Sequence, residues 1–147
     1  MLTRRSVLAA ALAQAPAEPL VDTHIHLFEP ARFPYHPSGT YQPKAETLAD
    51  YLKTAKAIGL TRSIIVHPEP YQDDHRYLEY CFANEPSKGF FKGTCLFDPL
   101  KPDTMDRMAK LMQRWPARIV ALRIHAVTRE PKLTGPIRER PLDHPQM

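Results

Sequence analysis

From Pro19 onward the chain alternates between short β-branched runs and longer segments with helical spacing. "PLVDTHIHLF" (19–28), "TRSIIVHP" (61–68), "GFFKGTCLFD" (89–98) and "RIVALRIHAV" (118–127) read as strands. Between them, "AETLADYLKTAKAI" (45–58) sets Leu48, Leu52, Ala55 and Ile58 on one helical face, and Gly59 closes the run. "DDHRYLEYCFANEP" (73–86) places Tyr77, Leu78, Cys81 and Phe82 at helical spacing behind two acids. "PDTMDRMAKLMQRW" (102–115) aligns Met105, Met108, Leu111 and Met112, a stripe that reads as core. The order is therefore βαβαβαβ, which predicts parallel pairing through right-handed crossovers. The tail "TREPKLTGPIRERPLDHPQM" is polar and proline-rich, and Asp143 with Pro145 has the form of a helix opening.

Composition narrows this picture. A chain of 147 residues, 43% hydrophobic and 24% charged, has the length and the apolar content for one domain with a real core. Its 16 prolines fall mostly between the periodic segments. Cys81 and Cys95 form no CxxC pair and read as small buried hydrophobes.

The first 17 residues, "MLTRRSVLAAALAQAPA", stand apart. Arg4 and Arg5 precede an alanine-rich apolar run, and Ala13, Ala15 and Ala17 supply small residues for cleavage, the order of an export signal. "TRRSVL" resembles the twin-arginine signal, so the expectation is export to the periplasm. The apolar run is shorter than the ~20 residues of a membrane span, which excludes an anchor there. Without Arg4 and Arg5 the net charge falls from +4 (20 basic, 16 acidic) to +2 (18 basic, 16 acidic). No basic stripe remains to suggest nucleic acid or a membrane surface as partner.

The chemistry concentrates in "LVDTHIHLFEP" (20–30). On a strand, residues i and i+2 face the same way, so His24 and His26 project together with Ile25 opposite. Two imidazoles so placed can share a divalent ion such as zinc, although HxH alone is as compatible with a chance surface pair. No G-x-S-x-G elbow, phosphate-binding glycine loop or HExxH helix is present, which sets aside serine hydrolases, kinases and zincin proteases.

HxH on the first strand, "FPYHPSGTYQP", then "RSIIVHPEPY" and "DDHRYLEY", in that order, resemble the amidohydrolase superfamily. The branch is the amidohydrolase-related one that includes 2-pyrone-4,6-dicarboxylate lactonases and sugar lactonases. The resemblance implies a (β/α)8 barrel, of which about four βα units are visible from residue 18 to 147, an incomplete barrel and an N-terminal half. It implies water attack on a lactone or similar ester carbonyl of a small carboxylate, with His24 and His26 polarising that carbonyl or holding a metal. Members of the branch vary in metal use. Arg123 and Arg129 match arginines that grip substrate carboxylates, and Tyr41 matches a loop tyrosine that bonds a substrate oxygen; each is equally or better read as a structural ion pair, a solvated charge or rim packing. His67, at the mouth end of the second strand, departs from the branch pattern and is a further candidate substrate contact. His125 reads as a satisfied core histidine, Phe33, Pro34 and Tyr35 as loop packing, and Asp73, Asp74 and His75 as a helix start. The later histidine and the water-activating aspartate of the family have no counterpart here, so the expectation is a chain inactive alone and prone to self-association through its open sheet edges. A decarboxylase of the same superfamily and a non-catalytic gene fragment remain open alternatives.

Overall fold

The computed structural model describes residues 18–124 and 130–146. Four strands, β1 (Leu20–Ile25), β2 (Leu60–Ile65), β3 (Phe91–Cys95) and β4 (Ile119–Leu122), form one sheet in the order β1-β2-β3-β4, and every pair is parallel. Helices α1 (Leu48–Ala57), α2 (Arg76–Ala83) and α3 (Thr104–Arg114) make the three crossovers. A doubly wound sheet reverses its strand order partway; this one never does, which is the winding of a (β/α)8 barrel. Four units of that barrel are present, as the alternation predicts.

The helices start and stop for local reasons. Thr47 caps α1 by accepting a hydrogen bond from the Asp50 amide at 3.2 Å, and Gly59 ends it at φ +74°, a conformation that costs a glycine little. Ahead of α2, Asp74 accepts a hydrogen bond from the Arg76 amide at 3.1 Å, so Asp73, Asp74 and His75 do form a helix start. The main core lies between the sheet and the helices. It holds Ile25, Leu48, Ala55, Ile65, Leu78, Cys81, Phe82 and Phe91, with Phe33 stacked on Tyr77 and Tyr35 packed at its margin. Gly93 on β3 is a matter of space: a Cβ there would lie 2.8 Å from Leu78 Cδ1 and 3.0 Å from Phe82. Cys81 and Cys95 are both free and buried.

Two expectations are corrected. Leu111 is buried and Met108 partly so, packing with Trp115 and Ile119 on Cys95 and Phe97, but Met105 is 69% and Met112 50% exposed. At about 100° per residue the seam Thr104–Met108–Leu111–Trp115 is centred roughly 80° away from the Met105–Met112 row, so the stripe is not the buried face. At the C-terminal side, residues 141–146 make turns, with no helix opening at Asp143; the tail contributes instead a 3-10 turn at Ile137–Glu139. The fourth strand is also shorter than its apolar run, ending at Leu122.

The tail is held by charge and hydrogen bonds. Arg140, buried, donates to both carboxylate oxygens of buried Asp98, at 2.9 and 2.6 Å. The Ile137 amide donates to Gln72 Oε1 at 2.7 Å. Gln72 is itself a non-glycine residue at φ 51°, a sparsely populated region that persists only where surrounding contacts hold it.

Candidate active site

His24 and His26 leave the C-terminal end of β1 on the same side, as the strand period requires, while Ile25 is buried in the core behind them. Their rings meet edge to face with centroids 5.0 Å apart, and the two Nε2 atoms stand 3.4 Å from each other. His26 Nδ1 lies 2.7 Å from the Val66 carbonyl oxygen. A carbonyl only accepts, so Nδ1 carries the proton and Nε2 presents its lone pair toward His24. Burial holds His26 below the usual imidazole range, and its neighbours Arg123 and His24 push the same way, against the Val66 bond. The ring is therefore neutral at pH 7. A cleft of about 470 Å³, lined in part by His24, His26, Glu46, Thr47 and Tyr51, gives the pair access to solvent.

The donor set fits a divalent ion in part. Two zinc–nitrogen bonds of about 2.0–2.1 Å at a tetrahedral angle require nitrogens about 3.3–3.4 Å apart, and the Nε2 separation is 3.4 Å. Among the described residues, however, no group of three or more His, Cys, Asp and Glu side chains is placed to hold a metal. The pair is two ligands of a site, with the tautomer of His26 already set by its backbone partner.

Arg123 emerges just past β4. Its amide donates to the Cys95 carbonyl at 2.7 Å, which continues the ladder by one residue, and its Nη1 donates to the His67 carbonyl at 2.8 Å. That bond ties the guanidinium to the mouth end of β2. Burial lowers its proton affinity, and the nearby Tyr41 phenol and Glu69 carboxylate counteract this. Tyr41, 43% exposed, has its phenol raised above the usual range by burial; Glu69 adds to the shift, while Arg123 and Arg138 oppose it. His24, His26, Arg123 and Tyr41 thus gather at the end of the sheet where the strands finish. Arg129 and His125 lie outside the described residues.

His67, the candidate substrate contact of the second strand, is buried. It is 1% exposed, its ring packs on His75 with centroids 4.4 Å apart, and Nε2 lies 2.8 Å from the Gln72 carbonyl. Burial drives it down to about 4, and the neutral ring leaves Nδ1 without a hydrogen-bond partner among the described residues. The chain after Pro68 turns back over the strand end and covers it. His67 supports the site through its backbone carbonyl, the acceptor for Arg123.

Sequence reasoning missed the group behind this surface. Glu69 is fully buried and accepts from the Thr40 amide at 3.1 Å, the Thr40 hydroxyl at 3.0 Å and Gln72 Nε2 at 2.7 Å. These bonds fix the loop that carries Tyr41. The available signal was "HPEPY", an acid between two prolines directly after a strand, a poor place for a solvated charge. Arg138, from the 3-10 turn of the tail, donates to the Thr40 hydroxyl at 2.8 Å.

A family model described as Amidohydrolase matches residues 21–142. A 4-sulfomuconolactone hydrolase of Rhizobium radiobacter is 40% identical over 55 residues, 37% of this chain and 18% of that protein. One of Hydrogenophaga intermedia is 34% identical over 55 residues, with the same shares, 37% and 18%. Among solved structures, an apo protein of Agrobacterium tumefaciens superposes with a TM-score of 0.58 at 25% identity, over 77% of this chain and 40% of its own. A probable 2-pyrone-4,6-dicarboxylic acid hydrolase of Acinetobacter baumannii, with citric acid bound, superposes at 0.60 with 19% identity, over 80% of this chain and 42% of its own. The chain spans about two fifths of the length of these solved proteins and less than a fifth of each curated relative aligns with it.

Proposed function

The chain belongs to the amidohydrolase family, and from that premise we propose that it carries the carbonyl-polarising and anion-binding part of a hydrolase that opens lactones of small carboxylates. The observation that carries this is the convergence of His24 and His26 Nε2 atoms, 3.4 Å apart, at the strand ends that also present Tyr41 and Arg123. Lactone hydrolysis adds water oxygen to the acyl carbon, breaks the ring C–O bond and delivers a proton to the departing oxygen. Negative charge builds on the carbonyl oxygen, which is where a cation held by the two imidazole nitrogens would help. The neutral state of His26, with its proton on Nδ1, leaves the Nε2 lone pair free to serve as a metal ligand. A divalent ion bound by His24 and His26 would supply Lewis-acid polarisation of the same carbonyl. Arg123 is anchored on the His67 carbonyl by one of its five donors, and among the described residues no carboxylate pairs with it, so it is placed to bind a substrate carboxylate. Tyr41 stays protonated at neutral pH, since its phenol is raised, and donates to a substrate oxygen.

The names of the matched relatives, 4-sulfomuconolactone hydrolases and 2-pyrone-4,6-dicarboxylic acid hydrolases, support a lactone carrying further anionic groups. Titration of the chain with 2-pyrone-4,6-dicarboxylate, followed calorimetrically, tests the reading. Saturable binding that His26→Ala and Arg123→Gln each weaken by about tenfold is expected, the loss of one charge-assisted contact. Absence of saturable binding refutes it.

A further inference from the structure

β1 carries one residue more than the strand it pairs with. Asp22 pairs with Ser63 and Ile25 with Ile65, so the span 22–25 on β1 lies against 63–65 on β2. In a regular strand successive side chains alternate faces, and residues three apart point oppositely. Asp22 and Ile25 nonetheless both face the helices. Ile25 lies in the core, and the Asp22 carboxylate accepts a hydrogen bond from the Tyr51 hydroxyl of α1 at 3.3 Å. The extra residue is a bulge, set directly before the histidine pair.

A bulge frees backbone groups that the ladder would have paired. Asp22 takes one of them: its Oδ1 accepts from the His24 amide at 3.2 Å, two residues on, in the manner of an Asx turn. Its Oδ2 is the atom that Tyr51 holds, and the same hydroxyl is hydrogen-bonded to buried Ser63 on β2. The Tyr51 ring packs in turn on Phe91. One carboxylate thus ties the backbone of His24 to α1 and, through Tyr51, to the neighbouring strand. Beyond the bulge the ladder resumes: the Val66 amide donates to the Ile25 carbonyl at 2.8 Å, and His26 has its own bond to the Val66 carbonyl. The His26 ring is therefore placed from β2. Among the described residues the His24 ring has no hydrogen-bond partner apart from His26, so its position is set by the backbone that Asp22 holds.

We propose that Asp22 is a positioning residue for the histidine pair: by closing the bulge on the His24 amide it holds the His24 ring against His26 and sets the 3.4 Å approach of the two Nε2 atoms. Its bearing on catalysis rests on the lactone-hydrolase reading. Without the carboxylate the His24 amide returns to water or to the ladder, and a slip of one residue turns a side chain to the opposite face. The approach that a shared ion requires is then lost, whereas the fold, held by the core behind Ile25, remains.

The test uses the full chain, Zn2+ alone as the probe, and long-range proton–nitrogen NMR of the histidine rings. In the wild type the two rings are expected to show a direct nuclear Overhauser contact without metal, and zinc to move the Nε2 resonances of His24 and His26 together. Asp22→Ala is expected to abolish the contact and to weaken zinc binding by about tenfold or more, the usual cost of losing a group that orients a ligand. Asp22→Asn keeps an acceptor for the His24 amide and is expected to restore both. If the alanine variant does not fold, Tyr51→Phe decides by the same readouts: it leaves Asp22 in place, removes the hydroxyl that anchors it, and should act in the same direction by a smaller factor. A folded Asp22→Ala that keeps the ring contact and the wild-type zinc affinity overturns the proposal, even where its stability has fallen. An Asp22→Asn as impaired as Asp22→Ala overturns it too, as do wild-type rings without contact or zinc that fails to move both. The hydrolase reading is judged separately by the pyrone titration: its failure there leaves the ring contact and the role of Asp22 standing, and failure of the Asp22 variants to alter the pair leaves saturable pyrone binding standing.

Discussion

Lowering the pH from 7.5 to 4.5 should strip stability from this fold through His67, and His67→Gln should remove most of that loss. The imidazole is fully buried, and burial holds it down to about 4 against an ordinary value of 6.5. A histidine depressed in the folded state contributes stability above its unfolded pKa and loses it as pH falls below that value. The loss therefore begins near pH 6.5 and saturates near pH 4. Over the interval from 7.5 to 4.5, linkage with those two values amounts to about 2.5 kcal/mol, a large share of the ~5–15 kcal/mol of a domain. His75, stacked on His67 and also lowered by burial, titrates in the same direction. Asp73 and Glu85 are carboxylates held low despite burial, by Lys101 and Arg107 for Asp73 and by Arg118 for Glu85, so their contribution is lost at lower pH, largely below this window. Glutamine can still donate to the Gln72 carbonyl but does not titrate. Urea unfolding followed by circular dichroism at half-unit pH steps measures both chains. Wild type should lose about 2.5 kcal/mol more than His67→Gln across the interval. Parallel curves, or a variant that is the more acid-sensitive of the two, would refute the assignment of a neutral buried imidazole.

Two further outcomes are expected. Asp98→Asn leaves the buried Arg140 guanidinium without its bidentate partner, and should cost about 3–5 kcal/mol in urea unfolding, whereas Lys53→Ala, which breaks an exposed pair, should cost under about 1 kcal/mol. Residues 1–25 fused to a reporter that matures only when folded before export should deliver it outside the cytoplasm, Arg4→Lys with Arg5→Lys should stop this, and a reporter retained with the native arginines counts against the export signal.

The alternation of elements and the facing of His24 and His26 were readable because both depend on local periods, 2 for a strand and 3.6 for a helix. His67 was misread because strand period alone puts it at the mouth; what buries it is the return of the chain through Gln72, whose left-handed backbone no pattern announces. Met105 and Met112 were misread because hydrophobicity marks a helical face only to within its width, and the seam was chosen by Leu111 and Trp115 against Cys95 and Phe97. The roles of Glu69 and Arg138 depend on Thr40, which lies 29 and 98 residues from them in the chain, and contacts at that separation leave no local signature.

The fastening of the tail bears on when the site exists. The bonds from Ile137 to Gln72, Arg140 to Asp98 and Arg138 to Thr40 span 65, 42 and 98 residues. Each closes a long loop, so docking comes late in folding, after the sheet has supplied its partners. Once folded, the tail can detach at less cost than global unfolding, since among its described residues Ile137 is the buried apolar side chain. Any ligand that needs the docked tail then meets a population, and its apparent dissociation constant is the intrinsic one divided by the docked fraction; a tail docked half the time makes binding about twofold weaker. Occupancy in turn lengthens the docked lifetime, so the Ile137 amide, which has no secondary-structure ladder to protect it, becomes a clock for ligand residence through its exchange with solvent.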